Sequence, residues 1–471
     1  MDLFFECLNH RADYICYYNY DEKKQMSDKL LKMLNQTNEM LPREIELTAV
    51  LYKWSPQEFK NVLFDRVFQL ASEQPLTTSF IVAICNYIWI NNKVFSIVQK
   101  QRSVELLNKW TQTVPEILLD TIQHTLYSLN NDFKRVDGRH PKVCLLIPEL
   151  LSGLSFFQPP IDFMTVCSEL KKSDIDTTIL DNRAWHYSEK QVMDLLSDYE
   201  VIVVNTTPID QVQNYFVDYR YALTIEYLKE IKRLFSEKKV IICGSHGTVR
   251  SDLVEKHLCA DIIIHGEYID SCIQVVKSIY ANNSLTEIPN ISIKAGEMYV
   301  HTDVSSVLMH PPLNEHAYPD YDSVDLLGYY GNVHYQGVNV KKNNWSILMT
   351  SCGCPFQCIF CYKFFGNTIR RYSLFHVMNE VHQMIAHKID SFFIIDQLFT
   401  SDRSFVIEFC NQIIAENLQL KWSCQTRVDH LDAELLHLMK AAGCNGIWLG
   451  LESVTDSVLE TNKKGTSQKQ L

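Results

Sequence analysis

The residues best suited to chemistry lie in one stretch, SCGCPFQCIFCYK, residues 351–363. Within it Cys354, Cys358 and Cys361 are spaced C-x3-C-x2-C, so three thiolates of one tight loop can converge on one inorganic centre. A cubane iron–sulfur cluster has four irons to ligate, and three cysteines leave one iron open to a substrate or cofactor. Two plainer chemistries compete. With Cys352 the loop holds four thiols, the number that a closed structural zinc site takes, although zinc sites usually draw ligand pairs from two separated loops. Free cysteine also packs as a small hydrophobe, and Cys352, at the end of an apolar run, is best read that way.

The loop must be held by what flanks it. Residues 345–351 are apolar or small and read as a buried strand leading into the cysteines. After the loop the pattern alternates: helix 372–387, strand 391–395, helix 405–417, strand 421–424, helix 431–442 ended by Gly443, and strand 447–449. Repeated β/α units with functional groups at the strand carboxyl ends follow barrel logic. Those ends carry Asp396, then Gln425 and Arg427, then Gly450, Glu452 and Ser453. Arg427 has nearby carboxylates in Asp429 and Asp432, and Glu452 has a following helix to cap, so each also has an ordinary structural role open to it.

The cysteine loop at the end of a strand resembles that of radical S-adenosylmethionine (SAM) enzymes. The resemblance implies a [4Fe-4S] cluster on Cys354, Cys358 and Cys361, whose open iron is chelated by the amino and carboxylate groups of SAM. It further implies reductive cleavage of SAM to a 5′-deoxyadenosyl radical, with electrons from a donor such as flavodoxin or ferredoxin. Asp396, Arg427, Gly450, Glu452 and Ser453 resemble the positions that line the SAM pocket in that family. The pair Asp396-Gln397 departs from the frequent Asp-Asp. Carboxylates suit ribose hydroxyls or an α-ammonium, and arginine suits the SAM carboxylate. The family's partial barrel has more β/α units than the four or so read here, so the chain is expected to be a fragment, or to borrow a wall from elsewhere.

Upstream, five short apolar runs at 143–147, 177–180, 201–204, 240–243 and 262–264 alternate with helices at 161–170, 188–196, 222–235, 248–257 and 270–279. This predicts a doubly wound, Rossmann-like parallel sheet whose ligands sit at the strand carboxyl ends. No GxGxxG follows the first strand, which argues against a nicotinamide cofactor. The block resembles the cobalamin-binding domain that precedes the barrel in one large radical SAM subclass. The matching pieces are Pro159-Pro160, LDNR after the second strand, Asn205-Thr206-Thr207, Gly244-Ser245-His246, and Gly266-Glu267. Those last three groups are the expected cobalamin contacts. The family commonly shows two glycines where Gly244-Ser245 stands, and GEGE where this chain reads GEYI from Gly266. DxHxxG is absent, so cobalamin would bind with no protein histidine on cobalt. A flavodoxin-like domain without a ligand is the alternative for the whole block.

The organisation expected is thus a helical domain over 1–137, a cobalamin-binding domain over 138–282, a proline-punctuated connector over 283–340 and an incomplete radical SAM barrel over 341–471. In the first, SPQE at 55–58 and TVPE at 113–116 begin amphipathic helices, and no ligand cluster appears there. The connector holds short strands around 291–293 and 298–300. The chain's 44 basic and 56 acidic residues leave a net charge of −12, so nucleic acid is not an expected partner. Fifteen cysteines without a disulfide framework point to a reducing, cytoplasmic setting. The amino terminus has no basic n-region, and the most apolar run, 80–90, is too short to span a bilayer. The function expected is cobalamin-dependent radical SAM chemistry at an unactivated carbon, methyl transfer foremost. The alternatives are radical SAM chemistry without cobalamin, or a non-catalytic iron–sulfur protein. The substrate, a small molecule or a peptide, is not legible.

Overall fold

The computed structural model describes residues 20–36, 57–73, 76–115, 118–132, 142–148, 158–206, 217–249, 251–302, 316–326, 345–361 and 364–470, with a few isolated positions between them. Two parallel sheets follow an amino-terminal helical bundle. The bundle comprises α1 (Tyr20–Gln36), α2 (Gln57–Glu73), α3 (Thr78–Asn91), α4 (Ile97–Thr111) and α5 (Leu119–Asn130). Helix α3 is apolar on every side and is buried along Phe80–Asn91, so it is the axis of the bundle rather than a membrane segment. No helix among the described residues is long and apolar enough to cross a membrane. Ser96 caps α4 reciprocally with Gln99. The last residue of the TVPE segment, at 116, lies outside the described residues.

The first sheet contains β1 (Val143–Ile147), β2 (Thr177–Asp181), β3 (Val201–Asn205), β4 (Lys239–Cys243) and β5 (Ile262–Ile264), all parallel, in the spatial order β2-β1-β3-β4-β5. This is the flavodoxin-like doubly wound order. These strands are nearly continuous apolar runs because both faces are covered. One face, with Val143, Leu145, Val203 and Ile241, packs on α6 (Ile161–Lys171) and on α10 (Ile269–Ala281). The other, with Cys144, Leu146, Ile202 and Ile242, packs on α7 (Glu189–Leu196) and on α8 (Val217–Leu234), with α9 (Ser251–His257) beside them. The expected helix over 248–257 is two pieces, a turn at Ser245–Val249 and α9. The hairpin β6 (Ile291–Ala295) and β7 (Met298–His301) continues this sheet, antiparallel beside β5, where the sequence placed short strands of a connector.

The second sheet is parallel and four-stranded: β8 (Trp345–Leu348), β9 (Ser391–Ile394), β10 (Lys421–Thr426) and β11 (Cys444–Leu449), in chain order. Helices α11 (Leu374–Ala386), α12 (Arg403–Ala415) and α13 (Ala433–Ala441) join them, and α14 (Asp456–Thr461) follows β11. Gly443 ends α13 at φ +92, where a Cβ would stand 2.2 Å from the Leu420 carbonyl oxygen. One apolar core runs through both sheets, from Val143 and Val276 to Trp345, Phe392 and Trp422. Polar ties reinforce it. His316 bridges Asp270 and Tyr372 at 3.0 Å each, Lys171 pairs with Asp320 at 2.7 Å, and Arg370 pairs with Glu267. The bundle docks through Trp89 against His186, with rings 4.7 Å apart, and through Lys93 over the Trp185 ring.

Candidate functional site

The cysteine loop leaves β8 through a turn at Thr350 and Ser351. Ser351 and Cys352 pair antiparallel with Arg371 and Arg370, which closes the base of the loop. Asp396 lies beneath this turn, fully buried, and accepts hydrogen bonds from Thr350 N at 2.7 Å and Ser351 Oγ at 2.6 Å. Burial raises its carboxyl above the usual range, and the Ser351 and Thr350 bonds oppose that shift. Asp396 therefore anchors the turn and does not face the open site. Its neighbour Gln397 lines the cavity and accepts from Gly353 N at 2.9 Å. Gly353 has φ +92, and a Cβ there would stand 2.1 Å from the Thr368 carbonyl oxygen, so the loop's path needs glycine. Cys352 is buried on the strand and its thiol is pushed well up by desolvation, as suits a packing residue.

Cys354, Cys358 and Cys361 line one open cavity of about 330 Å³ with Gln425, Arg427, Gly450 and Glu452. Cys354 and Cys358 are half-buried and Cys361 is exposed. The donor set and the cavity fit a cluster with room beside it, since small-molecule pockets begin at about 300 Å³.

Arg427, at the end of β10, grips Asp429 with two bonds of 2.9 Å and donates Nη1 to the Lys464 carbonyl at 2.6 Å. Its guanidinium stacks 3.7 Å above the centre of the Phe356 ring. A guanidinium carries five N–H groups, so donors remain for a ligand after these bonds are made. Glu452 has φ +61 and accepts from Lys464 Nζ at 3.2 Å, beside Gly450. Ser453 does not line the cavity; its hydroxyl accepts from Thr455 N at 3.0 Å. Sequence reasoning did not find Phe356, Trp448 or Lys464. Alternation along β11 offered a signal for Trp448, but nothing in the tail sequence marked Lys464 as a neighbour of Arg427.

The residues expected to contact cobalamin stand at the carboxyl ends of the first sheet. Asn205 is buried and donates to Tyr268 Oη at 2.8 Å and to Asp162 Oδ2 at 3.1 Å, while the Tyr268 hydroxyl donates to Asp162. Thr206 is buried and donates to the Cys243 carbonyl at 3.3 Å. His246 is fully buried, and Glu267 is held by Arg370. Gly244 at φ +90 and Gly266 at φ +69 shape the turns after β4 and β5, and Gly266 N donates to Thr248 Oγ1 at 2.9 Å. Thr207 and the Ser245 side chain lie outside the described residues, as do residues 149–157 and 207–216, which follow β1 and β3 in the chain.

Comparison with known proteins adds the following. Over 337 residues the chain is 23% identical to an uncharacterized methyltransferase of Pyrococcus horikoshii, covering 70% of this chain and 69% of that one. Over 323 residues it is 25% identical to the anaerobic magnesium-protoporphyrin IX monomethyl ester cyclase of Cereibacter sphaeroides, covering 66% of this chain and 49% of the cyclase. Among solved structures, it resembles the radical SAM methyltransferase TsrM from Kitasatospora setae, bound to tryptophan and a SAM analogue. That match has a TM-score of 0.53 at 18% identity and covers 69% of this chain and 62% of TsrM. It also resembles the cobalamin-dependent SAM radical enzyme OxsB with aqua-cobalamin and SAM, with a TM-score of 0.57 at 14% identity over 84% of this chain and 62% of OxsB. These structural likenesses are of fold. The chain spans about half the length of the cyclase and less than two thirds of each solved chain. Residues 348–471, the segment that builds the cysteine loop and its cavity, match the Radical SAM superfamily.

Proposed function

We propose that the chain is the cobalamin-dependent kind of radical SAM enzyme, with methyl transfer to an unactivated carbon as its reaction. The observation that carries this reading is the single cavity in which Cys354, Cys358 and Cys361 face Arg427, Gly450 and Glu452. The cysteines would hold a [4Fe-4S] cluster. Arg427, with donors to spare beyond Asp429 and Lys464, would take the SAM carboxylate, and Glu452 would take its ammonium or ribose. Phe356 keeps the guanidinium fixed from below, and the aromatic residues Phe360, Phe364 and Phe365 exclude water from the loop side. When bound, cluster and SAM supply the carbon radical and cobalamin supplies the methyl group.

Cobalamin is assigned to the carboxyl end of the first sheet, above the turns at Gly244 and Gly266. The flavodoxin-like strand order supports this, as does the likeness of fold to TsrM and OxsB. Complete burial of His246 accords with a corrinoid that takes no histidine on cobalt. On this reading the chain divides into a helical domain, a cobalamin domain and a radical SAM domain, works with a small-molecule or peptide substrate and a reducing partner, and belongs to the cytoplasm.

Anaerobic reconstitution tests the central claim. About four irons per chain are expected if the site is a cubane, and serine at Cys354, Cys358 and Cys361 abolishes their uptake while the circular dichroism is unchanged. Zinc held in air with no iron uptake under anaerobic sulfide would sink it. Corrinoid retained by protein from cobalamin-fed cells tests the second cofactor, and its absence after refolding with cobalamin removes that part alone.

A further inference from the structure

On the edge of the first sheet, Glu255, His265 and His301 place one ligand atom each within 4.8 Å of the others. They come from three elements: α9, the end of β5, and β7 of the added hairpin. Between them sits Ser292 of β6, whose hydroxyl is 2.7 Å from His265 Nε2, 2.8 Å from His301 Nδ1 and 3.4 Å from Glu255 Oε1. The other nitrogen of His265, Nδ1, is 2.7 Å from the Gly247 carbonyl oxygen. A carbonyl only accepts, so Nδ1 carries the proton, and the Nε2 lone pair faces the Ser292 hydroxyl, which also touches Glu255 and His301. Metal-binding histidines are set up in this way, with the far nitrogen held by a carbonyl or carboxylate that fixes the tautomer.

We propose that Glu255, His265 and His301 form a site for a divalent first-row transition ion, zinc foremost. Two imidazoles and a carboxylate suit zinc, and the Ser292 hydroxyl or water is at hand as a fourth ligand. Ligands about 2.1 Å from zinc stand roughly 3.4 Å apart, so the three, all within 4.8 Å of one another, need only close slightly. His301 and Glu255 supply that movement, since the His301 side chain is 52% exposed and the 3.8 Å between its Nε2 and Glu255 Oε2 is slack. The ion would clip the hairpin β6–β7 to α9 and to the end of β5. Gly266 follows His265 directly, and Gly247 supplies the carbonyl that orients it, so the clip also steadies the turns after β4 and β5.

The test uses the full chain with Cys354, Cys358 and Cys361 changed to serine, so that zinc has no thiolate loop to occupy. Equilibrium dialysis should find one zinc per chain. His301→Gln and Glu255→Gln should each weaken it at least tenfold, and zinc should raise the melting temperature of the parent but not of His301→Gln. His301 lies at the exposed edge, so its variant folds. No zinc bound by the serine chain, or equal binding by the parent and His301→Gln, overturns the proposal. Its failure leaves the cysteine-loop reading untouched, because the cysteines are absent from the experiment.

Discussion

Replacing Glu380 by glutamine should stabilise the protein at neutral pH, and increasingly so as the pH rises. Glu380 lies on α11 at the seam between the two sheets, is 5% exposed, and its Oε1 has no hydrogen-bond partner. Desolvation raises its carboxyl from the usual 4.5 to about 8. The folded pKa is above the unfolded one, so this group favours folding fully below pH 4.5, and stability is lost as pH rises through about 8. Each unit of separation between the two states is worth about 1.4 kcal/mol, which puts the penalty near 3 kcal/mol at pH 7 and about 1 kcal/mol more at pH 8. Glutamine keeps the shape without the charge. His376, one turn earlier, complicates the wild-type curve: burial lowers it from 6.5 to about 4, so its contribution is lost as the pH falls through that window. The quantity to read is therefore the difference between wild type and Glu380→Gln in guanidinium midpoints from pH 5 to 8.5. It should grow by about 1.4 kcal/mol per pH unit up to about pH 8 and then level off. A difference that stays flat with pH would refute the reasoning.

Two further substitutions probe the cavity. Arg427→Ala should weaken SAM binding about a hundredfold, or roughly 2.7 kcal/mol, without loss of iron, and Arg427→Lys should recover only part, because the fork onto Asp429 and the Lys464 carbonyl is gone. Equal affinity in all three proteins would remove Arg427 from the pocket. Gly353→Ala should destabilise the loop by about 2–3 kcal/mol and reduce iron uptake with every cysteine intact, since its Cβ would meet the Thr368 carbonyl at 2.1 Å; normal iron content would show that the loop relaxes around it.

The strands of the first sheet were legible because runs such as VCLLI are buried on both faces, and few other environments tolerate five apolar residues bounded by polar ones. The hairpin at Ile291–His301 was seen as strands but not as part of that sheet. ISIKA and MYVH are mixed in polarity because they lie at an edge, and nothing in such a pattern names the partner strand. Asp396 shows a different gap. The sequence placed it correctly at the end of β9, but successive residues there point opposite ways, so Asp396 went under the turn and Gln397 into the cavity. Lys464 and Phe356 reach Arg427 only through the fold of loop and tail, a long-range contact that no local spacing encodes.

The apolar core shared by the two sheets also bears on how a substrate enters. A hinge needs a seam that can part, and domain closure around ligands relies on such seams. Here parting would expose residues from Val276 to Phe392 together and break the pairs Arg370–Glu267 and Lys171–Asp320. Parting the two sheets would therefore cost both the shared core and these ion pairs. Traffic to the cysteine loop would instead pass its rim, where Trp448 is 53% exposed and Leu451 is 41% exposed, on the faster timescale of side chains and loops.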